Sequence, residues 1–434
     1  MIKQQPQAEI KIAELAPGGN GFGRLEDGRA AFILGGIPGE TVLAELTKQK
    51  SSYVEGRISQ ITTPSLRRTE PPRYDLLGAM PWYGLAYDYQ LELKLDLLKR
   101  IFMQHHLELS PDVSVTPSPQ TIGYRSRLDY SLYSDDDGLQ LAHFKAGSSR
   151  SLELLNDGHP LASTKMNEVA TKLTAILSTI PALKAVARLL ILRTDSKNSI
   201  LALIGVTAVP EPLTALGDID LSSLGLAGLA ALRCDRRRTI VHNSLFYETG
   251  ETQLKEELDG LTLSYGPANF TQQNMPAFRL ALGDLLAFVS EKSRVLELYA
   301  GSGTIGLSVA KIAATVEATE SVASASIQAL QNAQANGITN YHSHALEDRH
   351  TTVSQLKAAD ILIVDPPRAG LHPRLVETIL ACPVERIIYL SCNPVTQARD
   401  IALLQGAYTL KHYQGYDFYP QTAHLEGLAI LDQK

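Results

Sequence analysis

Cysteine is scarce in this chain. Cys234, Cys382 and Cys392 are the three in 434 residues, too few for a disulfide framework or a four-thiolate metal site. Long apolar runs are missing too: no uncharged, strongly apolar stretch reaches the about eighteen residues a membrane span needs. The start, Met1-Ile-Lys-Gln-Gln-Pro6, lacks the apolar core of a signal peptide, so a cytoplasmic protein with no membrane contact is expected. Nor is there an excess of positive charge. The net charge of −6 excludes a protein that simply coats nucleic acid, and any such contact must use local patches. Candidates are Arg233 with Arg236, Arg237 and Arg238, and Arg125 with Arg127. Solenoid-period repeats and low-complexity tracts are absent. What the chain does have, 44% hydrophobic and 20% charged residues, suffices for two or three cored domains. Nothing in it demands an obligate oligomer, and a monomer is expected.

Three regions differ in pattern. Residues 1–62 carry short strand-like runs, such as Glu9–Ala13 and Thr41–Leu46, split by Gly18-Gly-Asn-Gly-Phe-Gly23 and Gly35-Gly-Ile-Pro-Gly39. Such punctuation predicts a small OB-like barrel of about five strands. The Pro-rich, polar run Thr63–Pro72 reads as a linker. Residues 73–262 predict a mixed α+β domain, with an amphipathic helix near 90–106 that could pack on the following domain. Within it, strand-like pieces at Leu128–Tyr133, Leu189–Thr194 and Ile200–Val206 surround a helical Thr164–Leu173. From 263 to 434 strand and helix alternate, the pattern of an α/β, doubly wound parallel sheet.

The chemistry-bearing residues concentrate in that last region. Val295–Tyr299 is an apolar run leading into Gly301-Ser-Gly303-Thr304-Ile-Gly306, after which helical spacing resumes. A glycine turn between strand and helix lets a ligand approach the backbone. Glu320, at the end of the next strand-like run, could grip a ribose hydroxyl of either a nicotinamide or a methyl-donor cofactor. Both cofactors contain adenosine, so the loop alone leaves the choice open. Ala359–Val364 ends in Asp365-Pro366-Pro367-Arg368, whose prolines stiffen the turn and withhold N–H groups. That ending favours methyl transfer. Arg368 occupies the position where amino-methylating enzymes carry a stacking aromatic, and suits a phosphate, a carboxylate or a polarised carbonyl.

Cys392 follows the strand-like Arg386–Leu390 in Ser391-Cys392-Asn393-Pro394, a place where α/β sheets do chemistry. A thiolate added at C6 of a pyrimidine turns C5 into an enolate carbon able to attack a methyl sulfonium. Asn393 could hold the base edge, and Pro394 fixes the loop. The proton left on C5 needs a base, and Glu426 of His424-Leu425-Glu426 is the candidate, with His424 beside it. The amides of Tyr265–Asn274, Gln272 and Asn274 among them, suit a zwitterionic cofactor tail or a uracil edge. Cys234 and Cys382 lack such surroundings and read as structural.

Phe270-x-Gln272-x-Asn274, Glu297-Leu-Tyr-Ala-Gly-Ser-Gly303, Asp365-Pro-Pro-Arg368, Ser391-Cys-Asn-Pro394 and His424-Leu-Glu426, in that order, resemble the RNA uracil-5-methyltransferase family. The resemblance covers residues 263–434 and implies a Rossmann-like methyltransferase domain. It implies Cys392 as nucleophile and Glu426 as base. It further implies S-adenosylmethionine contacts at Gln272, Tyr299, Gly301, Gly303, Thr304, Glu320 and Asp365, and substrate contacts at Arg125, Asn274, Arg368 and Asn393. An asparagine that members often use after the second strand is Ala345 here. The N-terminal segment resembles the RNA-binding TRAM domain, which favours structured ribosomal RNA, 23S, as partner, with a transfer RNA uracil-5-methyltransferase as the alternative. Many members hold an iron–sulfur cluster through Cys-x5-Cys-x2-Cys and a later cysteine. The corresponding positions here are Tyr74, Met80, Tyr83 and His159, so no cluster and no metal is expected. Tyr74, Met80, Trp82 and Tyr83 are expected to fill that volume as an apolar plug. The rivals are a cytosine-5 methyltransferase, a nicotinamide oxidoreductase and a catalytically silent RNA-binding factor.

Overall fold

A strand that bends in its middle organises the N-terminal sheet. Gln7–Lys11 pairs antiparallel with Thr41–Gln49, and Glu14–Leu15 pairs with Gly21–Arg24 at the other edge. Between them the Ile12 N–H donates to the Glu40 carbonyl and the Ala13 N–H to the Phe22 carbonyl, both at 2.8 Å. One continuous segment thus joins both edges, which removes open strand ends. This accounts for a six-stranded sheet where the sequence predicts five strands: the bent strand counts twice. Ile10, Ile12, Ala31, Ile33, Val42, Ala44, Val54 and Ile58 fill the interior. Gly23 sits where any side chain would strike the Lys11 carbonyl of the bent strand.

The computed structural model describes residues 6–434 apart from 147, 149, 150, 218, 236 and 268, and apart from the side chains at 242 and 243. Arg236 and the chain start at 1–5 therefore lie outside the described residues. Two compact units emerge: Met1–Leu93, Gln120–Thr252 and Tyr419–Ala423 form one, and Lys94–Pro119, Gln253–Phe418 and His424–Lys434 the other.

In the first unit the Thr63–Pro72 run is not a free linker. Arg68 is buried against the fully buried Glu40, donating to its two carboxylate oxygens at 2.6 and 3.0 Å and to the carbonyls of Gly35 and Tyr83. A polar run hides such an anchor, because its partner lies far back in the sequence. Beyond it, seven strands run in the order Leu152–Leu154, Leu139–Phe144, Arg127–Ser134, Ala187–Thr194, Ile200–Val206, Gly228–Cys234 and Ile240–Gly250. The helix Thr164–Thr179 packs its Met166, Val169, Leu173 and Leu177 on that sheet.

The positions aligned with iron–sulfur ligands lie in this unit. Met80 and Trp82 are fully buried and Tyr83 packs beside the core, but Tyr74 is 42% exposed and does not join the plug. Its short helical turn, Tyr74–Leu76, buries Leu76 instead. His159 is buried, accepts at Nδ1 from the Leu161 N–H at 3.2 Å, and is pushed down to about 3 by burial first and then by Arg125, His143 and Arg73. A neutral imidazole, a thioether and two phenols do not make a thiolate set, so the residues present do not fit a cluster. Among the described residues no group of three or more His, Cys, Asp or Glu is arranged to hold a metal ion, and no helix is long and apolar enough to cross a membrane. The basic patch is also reduced. Arg238 donates to the carbonyls of Arg188 and Leu132 and stacks over Phe144, and Arg127 pairs with Asp129.

In the second unit the main strands of the large sheet are β1 (Arg294–Leu298), β2 (Thr315–Glu320), β3 (Tyr341–Ala345), β4 (Ile361–Val364), β5 (Arg386–Ser391), β6 (Tyr408–Tyr416) and β7 (Glu426–Gln433), beside a separate hairpin of Leu254–Leu258 and Leu261–Tyr265. Their order is β3-β2-β1-β4-β5-β7-β6, with Val115–Thr116 added beside β6. The first five are mutually parallel, and β7 enters antiparallel between β5 and β6. Near-continuous apolar runs such as Ile361-Leu-Ile-Val364, buried throughout, suit strands covered on both faces. Helices α1 (Met275–Leu286), α2 (Thr304–Ala310), α3 (Ala323–Ala335), α4 (Pro373–Ala381) and α5 (Pro394–Leu404) connect or cover them. The predicted 90–106 helix runs from Tyr87 to Gln104. Its Lys94 makes a fully buried ion pair with Asp417, just after β6.

Candidate active site

The order of the strands reverses between β1 and β4, and ligands bind beyond the carboxyl ends of strands at such a switch point. Tyr299 follows β1, Glu320 ends β2, Asp365 follows β4 and Cys392 follows β5. Because β7 runs the opposite way, its first residue, Glu426, arrives at this same edge. Ser391 pairs with Gly427 as the last step of the β5–β7 ladder, and Cys392 and Glu426 are the next residues beyond it on the two chains.

The glycine loop is held open by its own backbone. Tyr299, Gly301 and Gly303 all adopt the left-handed region, with φ of 63°, 55° and 88°. For a tyrosine this is uncommon and costly, and such residues cluster at functional sites. Tyr299 is fixed by its hydroxyl, which donates to Asp348 at 2.5 Å. Nothing lies within 4 Å of where a Gly301 side chain would begin, leaving room for a ligand over the backbone. Glu320 accepts from the N–H groups of Gly301 (3.0 Å) and Val322 (2.7 Å), which presents its carboxylate at the loop. Thr304 opens α2 with its hydroxyl 2.9 Å from that of Tyr265. Below the loop, buried Glu297 accepts from the Gly306 N–H at 3.0 Å and is pushed up to about 8 by burial. A side chain at Gly306 would collide with this carboxyl, so the third glycine serves close strand-to-helix packing. Gln272 is partly buried, and the neighbouring Phe270 is 66% exposed.

Two asparagines read from sequence as substrate contacts have other work. Asn274 is buried; its Nδ2 donates to Ser118 and to the Phe418 carbonyl, both at 3.0 Å, while its Oδ1 caps α1 by accepting from Ala277. Asn393 donates from Nδ2 to the Arg368 carbonyl at 2.8 Å and accepts from Val395 to cap α5. Each amide is consumed in positioning a loop. A short linear motif cannot show this, because the partners lie far away in the chain. The Arg368–Leu371 loop is further tied to α5 by Thr396, Arg399 and Asp400, the last accepting from the Leu371 N–H at 2.8 Å and the Tyr389 hydroxyl at 2.9 Å. Reading the sequence placed Glu297 in a motif without giving it a role, and missed Asp348 and Asp400; the only hint for these was a helical position carrying a carboxylate.

Arg368 remains exposed, with Nη2 at 3.0 Å from His424 Nδ1. As arginine can only donate, that histidine nitrogen accepts. Cys392 is partly buried, and its thiol is pushed up to about 11 by burial first, then by Glu426 and Asp365, with Arg368 opposing. Asp365 is raised to about 7 by burial, and Glu426, 3% exposed, is raised well above the ordinary carboxylate range by burial and by Asp365. Thiol, two carboxyls and a guanidinium therefore share one electrostatic site. Arg125 belongs to the first unit, where its N–H donates to the Leu161 carbonyl. Cys234 is buried in that unit's sheet, and Cys382 closes α4.

Replacing Asp365 with asparagine removes one of the negative neighbours. Alkylation of Cys392, followed by peptide mass spectrometry across a pH series, should then reach its midpoint at lower pH. An unchanged midpoint would show that the Asp365 charge does not reach the thiol.

The family description tRNA (Uracil-5-)-methyltransferase matches residues 86–434, and the TRAM domain matches residues 7–59. An uncharacterized RNA methyltransferase of Thermosynechococcus vestitus is 30% identical, covering 99% of this chain and 98% of its own length. The 23S rRNA (uracil(1939)-C(5))-methyltransferase RlmD of Vibrio campbellii is 29% identical, covering 98% of this chain and 95% of its own. The solved structure of Pyrococcus abyssi tRNA (uracil-54, C5)-methyltransferase in complex with S-adenosyl-L-homocysteine superposes with a TM-score of 0.78 at 25% identity, covering 98% of this chain and 99% of that one.

Proposed function

Because the chain belongs to the RNA uracil-5-methyltransferase family, we propose that Cys392 is its nucleophile, Glu426 its base, and a uridine of 23S ribosomal RNA its target. The observation that most supports this reading is the Ser391–Gly427 pairing, one residue beyond which Cys392 and Glu426 lie on the two strands at the binding edge of the sheet. The enzyme is an S-adenosylmethionine-dependent RNA methyltransferase. Gln272, Tyr299, Gly301, Gly303, Thr304, Glu320 and Asp365 would hold the cofactor, over the open face of Gly301 and beside the Glu320 carboxylate. When bound, S-adenosylmethionine supplies an electrophilic methyl on a cationic sulfur, whose charge favours the anionic forms of neighbouring acids.

The Cys392 thiolate adds to C6 of a uracil turned out of the RNA, and the electron pair of the C5–C6 bond moves toward O4 and C5. Arg368 is the donor for the carbonyl oxygen that gains charge. C5 then takes the methyl group. Glu426 removes the C5 proton, the double bond re-forms, and the Sγ–C6 bond breaks. Turning out a base costs a few kcal/mol, least in a loop, which suits structured RNA. Ribosomal RNA is favoured by the Vibrio relative; residues 1–62 serve RNA binding through the TRAM domain, 73–262 form the central domain, with Arg125 on the substrate, and 263–434 carry the chemistry. The protein works as a cytoplasmic monomer.

Nucleoside mass spectrometry on unmodified ribosomal and transfer RNA, each incubated with enzyme and S-adenosylmethionine, tests the reading. New 5-methyluridine in ribosomal RNA is expected. Product confined to transfer RNA would move the substrate, 5-methylcytidine would move the base, and no product with cofactor bound would remove the catalytic reading.

A further inference from the structure

Hydrogen-bonded pairing between β5 and β7 reaches Ser391 and Gly427 and goes no further. Cys392 and Glu426 lie one residue beyond that last pair, and below this step lies a polar cluster that the reaction does not use. Gln397, on α5, is completely buried. Its Nε2 donates to the Tyr389 carbonyl on β5 and to the Gly427 carbonyl on β7, both at 2.9 Å. Its Oε1 accepts from the Tyr413 hydroxyl on β6, also at 2.9 Å. Every hydrogen-bonding direction needed to orient the amide is filled, and it spans the residue three before Cys392 and the residue one after Glu426.

We infer that Gln397 is a positioning residue, whose carboxamide ties the strand that ends at Cys392 to the strand that begins at Glu426 and so fixes nucleophile against base. This rests on the roles given to Cys392 and Glu426 above. Gly427 supports it independently: a side chain there would collide with the Tyr413 hydroxyl and with Gln397 Oε1, so the base strand carries no side chain where the clamp must close. Tyr413 is also close enough to Glu426 for a charge on that carboxyl to oppose ionisation of the phenol. A fully buried amide holds its place only while its bonds are made, because leaving carbonyls or an amide unpaired there is costly. The effect on chemistry follows from distance, since misplacing a catalytic group by about 1 Å can cost about a hundredfold.

The test separates addition from release. On RNA containing 5-fluorouridine, thiol addition and methyl transfer can proceed, but fluorine cannot leave C5 as a proton does, so the Sγ–C6 bond persists. On natural RNA, release also needs the base. In Gln397→Leu, the adduct yield on fluorinated RNA should stay close to wild type. Turnover on natural RNA should fall about ten- to a hundredfold with KM little changed, and a covalent adduct with natural RNA should accumulate on denaturing gels. Tyr413→Phe, which removes one hydroxyl and keeps the ring against Phe102, should show the same pattern more weakly, and decides the matter if the first variant does not fold. Turnover unchanged, or lost in proportion to adduct formation, would overturn the inference. Absence of any adduct from wild type on fluorinated RNA would instead strike at the assignment of Cys392 itself.

Discussion

Exchanging Cys392 for alanine should lower 5-methyluridine formation by roughly four to six orders of magnitude, the scale seen when a covalent nucleophile is deleted, while S-adenosylmethionine still binds. A uracil C5 in its resting ring is too poor a nucleophile to take a methyl group, and without thiol addition nothing converts it to an enolate carbon. The fold has little stake in the thiol. Cys392 is only partly buried, and its loop is held by Asn393, Thr396 and Asp400. Neither remaining cysteine can substitute: Cys234 is buried in its own sheet, and Cys382 precedes β5, at the sheet edge away from the site. Single-turnover methyl incorporation gives the rate and calorimetry the cofactor affinity. A loss smaller than about a hundredfold would place the nucleophile elsewhere, because proximity and charge stabilisation alone leave only residual catalysis.

What the sequence discloses is where each strand ends. A covered parallel strand is an apolar run, and a polar residue just past it marks the binding edge, as Asp365 and Cys392 do. It does not disclose which polar groups are already occupied. Asn274 and Asn393 look like substrate amides and are helix caps with distant partners. Arg68 looks like a linker residue and is half of a buried ion pair. Tyr74 stands at a cluster-ligand position and faces solvent. The Gln397 clamp joins four residues from three strands and a helix, none of which is remarkable where it stands in the chain. Local chemistry fixes a motif's place on an element, whereas hydrogen-bond partners across a sheet depend on a register that no linear pattern states.

Glu426→Gln should halt the reaction with RNA still attached. Burial and Asp365 hold this carboxyl well above its ordinary range, which favours its neutral form, and the amide copies that form in size and neutrality. Folding and cofactor binding should survive. Addition of Cys392 to C6 and methylation of C5 need no base on C5, but release does: the C5–H bond stays intact and the Sγ–C6 bond has no means of breaking. Turnover should fall by about 10²–10⁴, with a methylated protein–RNA adduct building toward one per enzyme on denaturing gels. The pH dependence follows with the same sign for both groups. Thiol and carboxyl must each lose a proton to act, and burial raises both, so wild-type kcat/KM should climb as pH rises through neutrality, whereas adduct formation by the glutamine variant should follow the thiol alone. Retained turnover would pass the role of base to His424, which meets Arg368 at the same edge; loss of methylation without any adduct would show that Glu426 acts before the methyl group moves.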